Sequence, residues 1–167
     1  MELIVRKLWF PHNAEEVVAS IFRIPQARQL FQQARYERDM RPRGIRTSGL
    51  YVPANPIMDL VIPPNEGVYL ILTSRDLKGD YGGINGKGKN KVAIASSWSY
   101  TGGSGFSTSD VSFTSMAFGE LGHALGLEHH AFDSVNPCEM SHNQIPGPDW
   151  KNLESVCFCK VCFKKVK

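Results

Sequence analysis

Apolar side chains are dense across residues 2–9, from Glu2 to Trp9, and predict a first β-strand. The period then changes. Ala14, Val17, Val18 and Ile21 recur at helical spacing behind Asn13, with Glu16 three residues on, the arrangement of a capping box. Ala27, Leu30, Phe31 and Ala34 keep the same period and predict a second helix from Gln26 to Tyr36. Pro42, Pro53, Pro56, Pro63 and Pro64 then interrupt the chain between Met40 and Gly67, which predicts irregular backbone with short extended pieces. Val68–Thr73 has no polar alternation and predicts a central strand buried on both faces. The segment Lys91–Trp98 lies between glycine-rich stretches at Gly82–Lys89 and Thr101–Gly105 and alternates Val92, Ile94 and Trp98 with small or polar residues. That pattern predicts an edge strand, which offers backbone groups to an extended peptide, although an ordinary hairpin edge fits it equally well. Ser107, Thr108, Ser109 or Asp110 can cap a following helix whose apolar stripe is Phe113, Ala117, Leu121 and Leu125. Gly126 is placed to end that helix in a left-handed turn, and a last helix is expected from about Asp149 to Phe163.

Glu120 and His123 lie off the apolar stripe. The stretch Gly119–His129 reads G-E-x-x-H-x-x-G-x-x-H; a histidine in place of Gly119 would make it H-E-x-x-H-x-x-G-x-x-H, a zinc-protease pattern. Histidines four apart on a helix reach one metal from one face, and the turn at Gly126 brings His129 back toward His123. Gly119 has no ligand atom. Glycine inside a helix costs about 1 kcal/mol relative to alanine, so local propensity gives no reason for it. In an intact site three protein ligands leave zinc an open position for water, whose pKa falls to about 7, and Glu120 is placed to take a proton from it. Loss of an outer hydrogen-bond partner already costs roughly 10–100-fold in metal affinity, so loss of a ligand should cost at least as much. Two histidines hold zinc poorly; waters or His142 are the candidates to complete the shell. The plain alternative is a buried helix with a satisfied histidine and a solvated Glu120.

Nineteen basic and sixteen acidic side chains give a net charge of +3, too weak for a nucleic-acid footprint even with the lysines of the tail at Lys160–Lys167. Apolar runs such as Val68–Leu72 are too short to span a membrane. The N-terminal residues lack the features of a signal peptide, so a cytoplasmic protein is expected. The length of 167 residues, with 42% hydrophobic and 21% charged, suits a single domain over 1–167, expected to be a monomer. All four cysteines fall between Cys138 and Cys162, and four of the five histidines, His123, His129, His130 and His142, lie in the same C-terminal part. In a reducing compartment such clustering favours metal over disulfides.

His130, Cys138-Glu139-Met140 and Cys159-Lys160-Val161-Cys162 continue the pattern, and the whole order from Gly119 to Cys162 resembles the archaemetzincins. In that family the zinc helix and third histidine are followed by a cysteine, then Cys-x-Met, then Cys-x-x-Cys, and members carry a catalytic zinc on histidines and a structural zinc on four cysteines. The resemblance implies an α/β (α+β) zincin-like fold, a twisted mixed sheet with an edge strand at the cleft, an active-site helix and a C-terminal helix. It implies that His123 and His129 are ligands of the catalytic zinc, Glu120 the general base and Met140 the methionine of the turn beneath the metal. Cys138, Cys159 and Cys162 would hold the structural zinc with His130. His130 replaces the family's first cysteine, an exchange zinc accepts; Cys157 is its rival, and the loop from His130 to Cys138 is longer than the family's.

The expectation is a zinc metallopeptidase with one structural zinc and a second, catalytic zinc that is weak or absent. Its activity would be impaired by Gly119, and a peptide or protein substrate would lie along Val92 to Trp98. The alternative is an inactive peptide-binding pseudoprotease stabilised by the structural zinc. A third reading, a zinc-held interaction domain whose basic tail meets nucleic acid, is weakest because the charge is modest.

Overall fold

The structure, a computed structural model, describes residues 1–41, 51–63, 65–79, 82–84, 86–100, 106–131, 133, 135–141 and 150–167. Along the chain run β1 (Glu2–Leu8), α1 (Ala14–Ile21), α2 (Pro25–Leu30), β2 (Gln33–Tyr36), β3 (Tyr51–Pro53), α3 (Ala54–Met58), β4 (Val68–Thr73), β5 (Asp76–Gly79), β6 (Gly82–Ile84), β7 (Gly86–Lys89), β8 (Val92–Ser96), α4 (Val111–Ala124) and α5 (Lys160–Val166). Short 3-10 turns cover Trp98–Tyr100 and Leu153–Ser155.

The larger sheet has the order β2-β1-β4-β8-β7, parallel except for the antiparallel β7–β8 pair, and β3-β5-β6 form a smaller one. β4 is central, and all six of its residues are buried because both faces are covered. Val68, Leu70 and Leu72 join Leu3, Val5, Ala93 and Ala95 in a core shared with α1, α2 and α4. Tyr69 and Ile71 point the other way, joining Ile4, Leu8, Val92 and Ile94 in a second core against α3 and the small sheet. The alternation is therefore between two apolar environments, which is why it leaves no polar mark in the sequence.

Local chemistry sets the helix ends. The Asn13 side chain accepts the Glu15 N–H at 2.9 Å and caps α1, while Glu16 turns to the Thr108 hydroxyl at 2.7 Å instead of completing a capping box. Asp110 caps α4 by accepting the Phe113 N–H at 2.8 Å. Gly126, at φ +90°, ends α4 in a Schellman turn: its N–H donates to the His123 carbonyl and that of Leu127 to the Gly122 carbonyl, both at 2.9 Å.

Three expectations are corrected. Only the first half of the predicted Gln26–Tyr36 helix is helical. Phe31 turns extended, and Gln33–Tyr36 pair in parallel with Glu2–Val5 as β2, so ladder hydrogen bonds override the helical period. The segment from Lys91 to Trp98 is not the edge: Val92–Ser96 lies between β4 and β7 with all five residues buried, and Trp98 lies beyond it in a 3-10 turn. The edge is β7, whose alternating glycines and lysines hid it. The tail has no regular secondary structure from Val156 to Cys159, and its helix starts only at Lys160. Gln26 holds Phe158 there by a reciprocal pair of side-chain to backbone bonds at 2.7 and 3.0 Å, and the Phe158 ring stacks on Phe118 with centroids 4.3 Å apart.

Candidate metal centres

Two sites grow from the consecutive residues His129 and His130. The Schellman turn reverses the chain after α4, so His129 returns to His123 and their Nε2 atoms stand 3.1 Å apart. Two nitrogens on one tetrahedral zinc, each at about 2.0–2.1 Å, would stand about 3.3 Å apart, so the pair fits a shared ion. The His123 Nδ1 lies 2.9 Å from the Leu127 carbonyl. A proton on Nδ1 then leaves the Nε2 lone pair for metal. Burial lowers the His123 pKa, against the Leu127 bond that raises it, with His129 lowering it further. Neutral imidazole is the form that binds metal.

Among the described residues, the His123–His129 pair is not joined by another His, Cys, Asp or Glu within sharing distance of one ion. His142 lies outside the described residues.

His130, Cys138, Cys159 and Cys162 do form a complete set, with one ligand atom from each lying within 4.8 Å of the others. His130 Nδ1 is 2.9 Å from the Ala131 carbonyl, which leaves Nε2 facing Cys159 Sγ at 3.7 Å. Cys159 caps α5, so Cys159 and Cys162, three apart, share a face of its first turn. The Cys159 N–H donates to Cys138 Sγ at 3.1 Å, as suits a thiolate acceptor. Burial and neighbouring thiols push Cys162 up to about 12 and raise Cys138. Burial would raise Cys159 too, but hydrogen bonds from the Cys162 backbone and neighbouring thiols hold it below the usual range. Packing three thiols this closely makes ionisation costly until a cation is shared. Cys157 points elsewhere, its thiol donating to the Pro137 carbonyl at 3.4 Å, and it is His130 that joins the other three cysteines in the cluster.

A tight turn from Cys138 to Ser141, closed by the Ser141 N–H to Cys138 carbonyl bond at 2.9 Å, places the fully buried Met140 under α4. A Cβ at Gly122 would come within 2.8 Å of its sulfur, so only glycine admits the turn this close to the helix. The His130 N–H donates to the Met140 carbonyl at 3.0 Å and ties that turn to the clamp. A cavity of about 570 Å³ opens beside both sites, with His129, His130, Cys159 and Cys162 in its lining. A larger one, about 730 Å³, lies at Trp9, Ser74 and Arg75 and contains none of these residues.

Compared by sequence, the chain matches no protein-family model and no curated protein. Compared by structure, it superposes on an archaemetzincin from Archaeoglobus fulgidus complexed with malonate, with TM-score 0.68 and 19% identity over 99% of this chain and 100% of that one. An archaemetzincin from Methanopyrus kandleri gives TM-score 0.69 and 16% identity, covering 99% and 93% of the two chains. The chain has the archaemetzincin fold. A zinc-dependent peptidase from Methanocorpusculum labreanum also shares it, at TM-score 0.60 and 16% identity over the full length of both chains.

Within this archaemetzincin fold Glu120 is largely buried beside a second carboxylate, Glu139. Burial first, then the Glu139 carboxylate, pushes Glu120 up to about 8, with Lys87 drawing it slightly back. Glu139 is itself pushed up to about 7 by burial, against hydrogen bonds from Trp150 and Ser115. β7 helps bury Glu120: a Cβ at Gly86 would meet Glu120 Cγ at 2.6 Å, and one at Gly88 would collide with the Glu120 carbonyl. Sequence reasoning passed over Glu139 because the x of a Cys-x-Met motif has no assigned role. Its signal was a carboxylate between two buried residues.

Proposed function

We propose that the chain is a zinc metallopeptidase of archaemetzincin type, impaired at its reaction centre by glycine at position 119 and held at its tail by a structural zinc on His130, Cys138, Cys159 and Cys162. One observation carries this reading. The Nε2 atoms of His123, on the helix that bears Glu120, and of His129, just beyond its end, stand 3.1 Å apart, while among the described residues no third donor joins them. The structural neighbours include two archaemetzincins and a zinc-dependent peptidase, which supports the reaction class.

Zinc, when bound, would polarise a peptide carbonyl and activate water. The chain's own part is to orient two imidazoles, with burial favouring the neutral form of His123, and to offer Glu120 as the proton carrier between water and leaving amine. That duty needs an ionised Glu120, whereas its surroundings hold the proton up to about pH 8. A cation nearby would favour the carboxylate, so base function and metal occupancy rise together. Substrate would run along the outer edge of β7, since β8 is flanked on both sides. Thiols gathered for metal suit a reducing compartment, in keeping with a cytoplasmic protein.

Metal content per chain and peptide hydrolysis, measured with and without added zinc, test the proposal. The expected result is one tightly held zinc, with cleavage absent at that stoichiometry and rising only as zinc is added. Two tightly held zincs with full activity would sink it.

A second reading, a peptide-binding pseudoprotease, is favoured by the packing of Glu139 over Gly119. Peptide binding that stays free of cleavage at saturating zinc would select it.

A further inference from the structure

We infer that Glu139 fills the place of the missing imidazole, so that Gly119 and Glu139 form one paired change, and histidine restored at position 119 alone does not rebuild the metal centre. The inference deepens the reading of that centre as one ligand short, and rests on it.

Ser115, Gly119 and His123 follow one another at four-residue spacing and share a face of α4. A Cβ at Gly119 would lie 3.1 Å from Glu139 Cγ, 3.3 Å from its Oε1 and 3.7 Å from its Cδ. A histidine ring extends beyond Cβ, into the volume this carboxylate takes up. The carboxylate is held from several sides. Its Oε2 accepts the Trp150 indole N–H at 2.5 Å and its Oε1 the Ser115 hydroxyl at 3.3 Å. The Glu139 N–H donates to the Cys157 carbonyl at 2.8 Å. Its neighbours in the chain, Cys138 and Met140, are both fully buried, one in the Cys/His clamp and the other against Gly122. Backbone and side chain are thus fixed independently of each other.

The pairing also accounts for glycine at position 119. Interiors pack without gaps the size of a side chain, so removing an imidazole from a helix face leaves a void unless a neighbour fills it. Glu139 does so, and its contact distances admit even a Cβ at position 119 only if Glu139 gives way by a few tenths of an ångström. A histidine at 119 would have to displace Glu139 from both partners or leave its own nitrogen short of His123 and His129.

Zinc stoichiometry and affinity, measured by elemental analysis and titration on the full chain, test this in four proteins: the natural chain, Gly119→His, Gly119→His with Glu139→Ala, and Gly119→His with Glu139→Gln. Glutamine keeps the bulk and removes the charge. The expected result is a second zinc held at least about 10–100-fold more tightly in the Gly119→His/Glu139→Ala protein than in the other three. Gly119→His alone binding a second zinc as tightly would overturn the pairing while leaving the one-ligand-short reading intact. A folded Gly119→His/Glu139→Ala protein that still holds a single zinc would overturn both. Should the histidine variants fail to fold, Glu139→Ala supplied with free imidazole decides the matter. Imidazole should promote a second zinc in that variant and not in the natural chain; an equal effect, or none in Glu139→Ala, would count against the inference.

Discussion

The Cys/His clamp and the histidine pair meet at adjacent residues, His130 and His129, yet among the described residues four donor atoms converge at one and two at the other. Each differs from the archaemetzincin pattern at one position. In the clamp a histidine stands for a cysteine, one donor for another, and the four atoms still converge within 4.8 Å. At the centre a glycine stands for a histidine, and a donor is deleted. The type of donor is exchangeable at a tetrahedral zinc; the number is not. The two regions also differ in what their donors connect. Clamp ligands come from the loop after α4, the Met140 turn and the start of α5, three segments separate in the chain that a shared ion would tie to one another. Both imidazoles of the centre come from α4 and the turn that ends it, which the core packs in any case.

Stability should therefore depend on one region and hardly on the other. Apparent binding energies of structural zinc reach about 10–16 kcal/mol in small zinc-finger peptides, and such binding energy is folding energy. Cys138→Ser, or stripping zinc with a chelator, is expected to lower the thermal midpoint by about 10 °C or more and to open the backbone of Met140 and of Lys160–Val166 to hydrogen exchange. His123→Ala should cost no more than about 1 kcal/mol. A His123→Ala protein as crippled as the Cys138 variant would erase the distinction.

An intermediate effect is expected where β7 meets α4. Gly88→Ala places a methyl against the Glu120 carbonyl, the Ala124 nitrogen at 2.8 Å and His123 Cβ at 2.9 Å. Main chain cannot yield as a side-chain tip can, so the strand must lift. The cost should be about 3 kcal/mol, at the upper end of ordinary overpacking. Lifting β7 should also admit water to Glu120 without disturbing the clamp. A denaturation midpoint within error of the natural chain would show that the edge strand is not seated on the helix.

The apolar period gave away β1, α1, β4 and α4 because each has a face committed to a core, and burial is what such a period records. It failed at Gln33–Tyr36, where three of the four residues are partnered through backbone while their side chains are exposed. β7 was hidden for another reason. Gly86 and Gly88 are required by contact with Glu120, Met116 and the α4 backbone, so no hydrophobic mark is left. Its hairpin with β8 turns on Asn90 and Lys91, at φ +50° and +63°, the positive values that two-residue hairpins need at both positions. Spacing along α4 and its turn predicted that His123 and His129 meet, whereas the grouping of His130 with Cys138, Cys159 and Cys162 was legible only through the resemblance to the archaemetzincins. What spacing could not convey is side-chain volume. Glu139 lies twenty residues from Gly119, and nothing linear relates the space it fills to the ring that glycine lacks.

A pH-dependent effect is the most specific, because acid and base should act on the two regions in opposite directions. Glu120 has a folded pKa of about 8 against an ordinary carboxylate value of 4.5. The folded chain thus keeps a proton that the unfolded chain releases. The resulting stability is fully present below about pH 4.5 and is lost as pH rises toward 8. Glu120→Gln should remove that loss, so stability measured from pH 5 to 8 should decline in the natural chain relative to the variant by roughly 1–3 kcal/mol, at about 1.4 kcal/mol per pKa unit with allowance for coupling to Glu139. Clamp thiols must lose protons to bind zinc, so their contribution weakens toward low pH instead. Added zinc that reached the centre would favour the Glu120 carboxylate and flatten the decline at high pH, with the acid side left unchanged. A Glu120→Gln protein that tracks the natural chain at every pH would mean that Glu120 is already ionised in the fold, and the burial that sets this centre apart from the clamp would lose its energetic consequence.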